Sequence, residues 1–352
     1  MTPRERLITA IERREPDRLP VMELAIDWSV MQRLGYRGFF EMIEGLDLDA
    51  VPGNQVVYIP EGQEQPQMPQ GTFKDNWGVQ KRITSELLPY VVDHPLKHKR
   101  DLTHLKAPDP ERDPAIAAIE RTAQRMQKRR AVVFLGRAVF TDTWFLYGME
   151  NILECYVEDP QFVLDLSGLA MEYNKRLHRL AIEAGADVVV LGDDYAHKLG
   201  PLMSPAHFEQ FVLPGLSEVV SNIKSCGAYC IKHTDGNIWP IIDAIVETGI
   251  DGIGPLEPLA GMDLARVKAR HGDKVCVVGN VDVDLLCRGA PETVHDETAR
   301  LIRSVSPGGG HILSSGNSIA SCVRPANLRA MIAAAQKLGR YPIGDSCEKE
   351  RD

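Results

Sequence analysis

Asp187–Asp194 reads DVVVLGDD, and this stretch decides the architecture. An unbroken apolar run, mostly β-branched, lies between two polar ends. That is the signature of a parallel strand buried on both faces. Just upstream, Glu183-Ala-Gly-Ala-Asp187 ends a helical pattern at a glycine and starts the run after an aspartate. Glu247-Thr-Gly-Ile-Asp251 repeats the same joint further along. Working outward, similar runs occur at Leu19–Leu24 (LPVMEL), Leu48–Gly53 (LDAVPG) and Ala131–Val139 (AVVFLGRAV). After the opening stretch come Ala228–Asp235 (AYCIKHTD), Gly252–Glu257 (GIGPLE), Lys274–Asp282 (KVCVVGNVD) and His311–Asn317 (HILSSGN). Helical periodicity separates the runs. Ser204-Pro205, for example, opens a helix with a capping residue and a proline; Pro214 should kink that helix and Gly227 close it.

Eight such runs predict an α/β protein, a (β/α)8 TIM barrel. The rival open doubly wound sheet calls for a GxGxxG after the first strand, and the sequence has none there. Residues 54–110, rich in Pro, Gln and Gly, fall outside the rhythm. They are expected to form a long insertion after the second strand, either a lid over the mouth or a surface excursion with small strands of its own. The single barrel domain is expected to cover 1–343, with a disordered tail at 344–352.

The composition narrows the function classes. The chain has 352 residues, 44% hydrophobic and 25% charged, with a formal charge of −9. No basic cluster offers a nucleic-acid surface. No apolar run reaches the roughly 18–20 residues of a membrane span, and the charged start has no secretory core. The seven cysteines form no CxxC pair. Reduced thiols in a cytoplasmic protein are expected.

Barrel chemistry sits where strands end and their following loops begin. Here the ends supply Glu23 and Asp27, Arg137, the pair Asp193-Asp194, His233 and Asp235, Glu257, Asn280, and Asn317. His233 and Asp235 lie two apart on a strand and point to one side, so they can share an ion or a substrate. The N/O donor set suits a borderline metal such as zinc, with Glu257, tentatively, or Asp193 as the third ligand. His233 also reads as a capped strand-end histidine. Of Asp193 and Asp194, one should face the barrel axis and the other should cap a neighbouring element. Asp194, His233 and Glu23 are the expected catalytic residues. Asp27, Arg137, Asp193, Asn280 and Asn317 are expected to bind substrate. Gly308-Gly309-Gly310 precedes a strand and reads as a turn at the opposite end. Asp75-Asn-Trp-Gly78 reads as a turn with an anchoring aromatic or as part of the lid. Cys322 reads as an ordinary loop thiol.

Several segments, in order, carry a resemblance. They are Thr2-Pro-Arg-Glu-Arg6 with Pro16-Asp-Arg-Leu-Pro-Val21, then Asp75-Asn-Trp-Gly78, Gly192-Asp-Asp194 and Gly200-Pro-Leu-Met-Ser-Pro205. His233-Thr-Asp-Gly236, Gly279-Asn280, and Ile312-Leu-Ser-Ser-Gly-Asn317 followed by Arg324-Pro-Ala-Asn-Leu328 complete the series. The chain resembles the uroporphyrinogen decarboxylase superfamily, in its branch similar to corrinoid-dependent methyltransferases. The resemblance implies a barrel with its site at the strand C-termini, and often a homodimer. Porphyrinogen decarboxylases of the family carry an Arg-rich segment after the first strand. Met22–Asp27 stands there and is acidic, so it would repel a poly-carboxylate. The family's zinc methyltransferases hold metal with a His-x-Cys pair and a later Cys; Asp235 stands at the first Cys position and Asn317 near the second. That harder donor set favours methyl bound to oxygen over methyl bound to sulfur. The methyl acceptor implied is the corrinoid (cobalamin) of a separate partner protein. A carboxy-lyase acting on a small carboxylated substrate other than uroporphyrinogen is the alternative. A non-catalytic ligand-binding barrel is the third reading.

Overall fold

The computed structural model describes residues 1–60, 62–67, 71–84 and 89–344. Except for Gly344, the expected disordered tail lies outside the described residues. In chain order the strands are β1 (Ala50–Pro52), β2 (Thr72–Lys74), β3 (Gln80–Arg82), β4 (Tyr90–Asp93), β5 (Ala131–Gly136) and β6 (Val188–Gly192). Then follow β7 (Ala196–His197), β8 (Gly200–Pro201), β9 (Tyr229–His233), β10 (Gly252–Ile253), β11 (Cys276–Val278) and β12 (His311–Ile312). Seven of them form one sheet in the order β1-β5-β6-β9-β10-β11-β12, every pair parallel. The fold is α/β, TIM-barrel-like, with a curled parallel sheet and helices between its strands.

The predicted first strand is absent as a strand. Leu19–Leu24 makes a parallel bridge, Val21 to Leu313, with Leu313 N–H donating to Pro20 O at 2.9 Å and Met22 N–H to Leu313 O at 3.0 Å. On its other side Asp49 N–H donates to Val21 O at 2.8 Å, and Val21 N–H donates to the Asp49 carboxylate at 2.8 Å. Pro20 has no N–H, which shortens the ladder this segment can form. The segment therefore bonds to both the β12 side and the β1 side without counting as an element.

One joint recurs around the sheet. Asp49, Asp187 and Asp251 each precede a strand. Each donates its N–H to a carbonyl of the preceding segment, namely Val21, Val132 and Cys230. Each also accepts that same residue's N–H on its carboxylate, at 2.8, 3.0 and 2.9 Å. The aspartates thus extend the backbone ladder by one side-chain rung. The glycines before the last two, Gly185 and Gly249, have φ of +112° and +84°, as the helix-closing reading requires.

Burial follows the alternation of the strands. Val188 and Val190 pack inward with Met22, Ala50, Val133, Ile231, Val278 and Ile312. Val189, Leu191 and Cys230 pack outward under the helices. The N-terminal helix Pro3–Ile11 adds Leu7, Ala10 and Ile11 to the inner cluster. Thr2 opens that helix with a capping box completed by Glu5.

The helix opened by Ser204 is not kinked in the simple way Pro214 suggests. Ser204 Oγ accepts from His207 N–H, and Phe208–Val212 then forms a π turn before the α-helix resumes at Leu213–Ser225. Pro214 falls in the first turn of the resumed helix, where its missing N–H is harmless. Gly308–Gly310 is a turn, with all three φ positive. β2, β3 and β4 form a separate antiparallel sheet between β1 and the helix Pro114–Met126. Among the described residues no helix is long and apolar enough to cross a membrane. The described cysteines are free.

Candidate active site

β9 brings the central group. Ile231 packs into the inner cluster, so His233 and Asp235, at the same parity, come out at the open end above it. His233 Nδ1 lies 3.1 Å from Pro255 O. A carbonyl can only accept, so Nδ1 carries a proton and Nε2 is the ring nitrogen left to face the pocket. That nitrogen faces two carboxylates, Asp235 Oδ1 at 3.5 Å and Asp194 Oδ1 at 4.0 Å. A lone pair among carboxylate oxygens repels them unless a proton or a metal ion lies between. Ligand atoms of Asp194, His233 and Asp235 all lie within 4.8 Å of one another, close enough for one ion.

The loop after β9 fixes this geometry. Asp235 N–H donates to Asp194 Oδ1 at 3.0 Å, and Asn317 Nδ2 donates to Asp235 Oδ1 at 2.8 Å. Gly236 has φ of +81°, and a Cβ there would sit 2.5 Å from the Ala196 carbonyl carbon, so this turn requires glycine. Burial raises the Asp235 carboxyl above the usual range, partly offset by His233 and the Asn317 bond.

Glu23 is 1% exposed. Oε1 accepts from Ser315 N–H at 2.8 Å, and Oε2 lies 2.5 Å from Ser315 Oγ. The Ser315 hydroxyl also contacts the Asn317 carbonyl. The hydroxyl has a single proton to offer these two acceptors. Burial pushes Glu23 up to about 8, against the lowering effect of the Ser315 bonds. The group is a protonated acid near neutrality.

The remaining expected residues separate by what they touch. Asp193 is buried, and its Oδ2 accepts from Val139 and Phe140 N–H at 2.9 and 3.0 Å. It anchors the start of the helix Phe140–Tyr147, so it is the capping member of the pair. Asp27 caps the helix Trp28–Arg33 through Ser29 N–H at 2.8 Å, likewise a structural use. Asn280 Nδ2 donates to Leu256 O and Met262 O, so it clamps a loop where substrate binding was expected. Glu257 Oε2 accepts from Gly236 N–H at 3.1 Å. It supports the turn, and Asp194 takes the place expected for it in the ligand cluster. Asn317 positions Asp235. Arg137 follows β5, pairs with Asp142 at 2.8 Å and stays 37% exposed.

Two lysines escape the sequence reading. Lys232 is fully buried, with Nζ donating to Asp193 O at 2.7 Å and lying 4.2 Å from the Tyr195 ring centroid. Burial lowers it to about 8. The signal was a charge inside the apolar run Cys230-Ile-Lys-His233. Lys81, on β3, carried no signal at all.

Residues 74–338 match the family model described as Uroporphyrinogen decarboxylase (URO-D). The chain belongs to the uroporphyrinogen decarboxylase family. It is 26% identical to the uroporphyrinogen decarboxylase of Alkalilimnicola ehrlichii over 71% of this chain and 70% of that one. It is 27% identical to the uroporphyrinogen decarboxylase of Sodalis glossinidius over 70% of each. A solved methyltransferase from Methanosarcina mazei superposes with a TM-score of 0.74 at 23% identity, covering 96% of this chain and 99% of that one. That likeness extends across the fold of this URO-D family member.

Proposed function

We propose that this URO-D family chain is a methyltransferase that moves methyl from an oxygen-linked small-molecule donor to a corrinoid on a separate protein. The observation that carries the reading is His233 Nε2 set among the carboxylates of Asp194 and Asp235. Those three residues would hold zinc, and their N/O donors fit it. The metal, when bound, supplies Lewis-acid polarisation of the donor oxygen, which an alkoxide or phenoxide leaving group needs. Asn317 fixes Asp235, and Gly236 with Glu257 fixes the turn. Once methyl departs, the donor oxygen takes up a proton, and Glu23 holds one near neutral pH. The Met22–Asp27 segment offers no arginine to hold the carboxylates of uroporphyrinogen, which argues against that substrate. The closed eight-stranded barrel belongs to the same reading, with Leu19–Leu24 as its shortest stave.

Metal analysis of the purified protein tests it, together with formation of methylcobalamin from methoxylated compounds and reduced cobalamin. About one zinc per chain is expected, with His233→Ala and Asp194→Asn each binding it at least tenfold more weakly. Zinc-free protein that keeps its activity in a chelator would refute the metal role. The curated relatives support a second reading, a carboxy-lyase. Release of carbon dioxide with no need for a corrinoid would establish that one instead.

A further inference from the structure

The sheet β2–β4 brings Lys81 beside Arg137. Both cations lie against one ring, the Lys81 ammonium 4.8 Å and the Arg137 guanidinium 4.7 Å from the Phe145 centroid. Phe145 belongs to the helix that follows β5, and Arg137 follows β5 directly, so the pair stands at the strand-end mouth. Each cation is steadied by one carboxylate, Lys81 by Asp75 at 2.8 Å and Arg137 by Asp142 at 2.8 Å. Asp142 is fixed in turn by Asn174 Nδ2 at 2.7 Å. A guanidinium has five N–H donors. Arg137 directs one at Asp142, and the others have no partner among the described residues. After burial, the charge of Arg137 is the strongest influence lowering Lys81. Two like charges held together in a half-buried place repel, and a bound anion between them removes that repulsion.

We infer that Lys81 and Arg137 form a carboxylate-binding subsite, which makes the substrate a small organic acid held by its carboxylate. The planar fork of Arg137 matches a carboxylate in two-point contact. A monoanion fits better than a phosphate dianion, because Asp75, Asp142 and Asp193 already surround the pair. This inference rests on the mouth being the active site and not on which reaction occurs there. In a methyl transfer the carboxylate is a handle, and in a decarboxylation it is the group lost. It also gives residues 54–110 a definite task, since β3 delivers one of the two cations.

Benzoate is the probe, with benzyl alcohol as its uncharged counterpart, both titrated into the full chain by calorimetry or ligand-observed NMR. Benzoate is expected to bind at least tenfold more tightly than benzyl alcohol. Lys81→Gln and Arg137→Gln are each expected to weaken benzoate at least tenfold and to leave the zinc content unchanged. Arg137→Gln strips a buried carboxylate of its partner and can lose its fold; Lys81→Gln leaves only the partly exposed Asp75 and carries the test alone. His233→Ala is expected to keep benzoate binding while losing metal, so this subsite and the metal reading fail independently. Equal binding of the two probes, no benzoate binding, or a Lys81→Gln protein that binds benzoate as the unaltered chain does, each overturns the subsite.

Discussion

Glu23 has both carboxyl oxygens on Ser315 and almost no solvent contact, so its charge is set by burial. Its folded pKa, about 8, lies above the ordinary glutamate value of 4.5. Between those values the folded chain holds a proton that the unfolded chain has released. Stability therefore falls as pH rises through that window, by up to about 1.4 kcal/mol per pH unit. Asp49, raised to about 6 by burial, acts in the same direction lower down. The buried histidines His178 and His311, lowered to about 3 and about 4, oppose it below the ordinary histidine value of 6.5. Above 6.5 Glu23 acts together with Asp193 and Asp235, whose carboxyls burial also raises. Urea unfolding of the unaltered chain should weaken from 6.5 to about 8, and Glu23→Gln should make the profile shallower there. An unchanged slope in Glu23→Gln would remove the proton from that carboxyl. At this scale the sequence paired His233 with Asp235 and gave Asp194 a separate catalytic role. Parity along β9 is readable, but a side chain's rotamer is not, and so Glu257 was expected where Asp194 stands.

At the scale of elements, the segments after the last two strands carry a contact that the sequence reading passed over. Cys287, near the end of the helix Val283–Arg288, has its sulfur 2.6 Å from that of Cys322, in the loop before the helix Pro325–Leu338. Cys322 is exposed. Oxidised glutathione should convert the two thiols to one disulfide, releasing two reduced glutathiones and lowering the chain mass by two hydrogens. The link closes a loop of 35 residues, worth about 3–4 kcal/mol against unfolding in the chain-entropy account. Peptide mapping under non-reducing conditions checks the pairing, and Cys322→Ser should abolish it. Spacing alone could not reveal this pair, because the two residues come from different strand-to-helix connections. The apolar runs were legible, since two-face burial demands them. So were the repeated Gly-x-Asp joints, whose aspartates cap the neighbouring segment. Leu19–Leu24 makes a single bridge where a full strand was expected, because an apolar pattern does not report the missing N–H of Pro20. Lys81 was invisible for another reason: residues 54–110 have no periodicity from which a neighbour across the mouth can be inferred.

At the scale of the whole molecule, the site depends on the end of the sheet farthest from it. The inner cluster is continuous from Leu7, Ala10 and Ile11 of the first helix, through Met22 and Val188, up to Ile231, two residues below His233. Arg6 on the same helix pairs with the buried Asp49 at 2.5 Å, and Arg4 pairs with Asp187 at 2.8 Å. The helix is therefore bound to two of the three recurring aspartate joints and also seals the cluster. Close-packed interiors transmit a lost side chain as a cavity that relaxes only in part. Leu7→Ala should cost about 2–5 kcal/mol. Because every strand of the sheet except β10 contributes to the cluster, the loss should lower the denaturation midpoint of one cooperative transition with its slope unchanged. A first helix packed as an independent appendage would behave differently: it would melt in a separate early phase and leave the main transition, and benzoate binding below it, at their original positions. Parallel unfolding curves from far-ultraviolet circular dichroism and from tryptophan fluorescence distinguish the two, since Trp77, Trp144 and Trp239 all lie outside that helix. Coincident curves at a lower midpoint are the expected result.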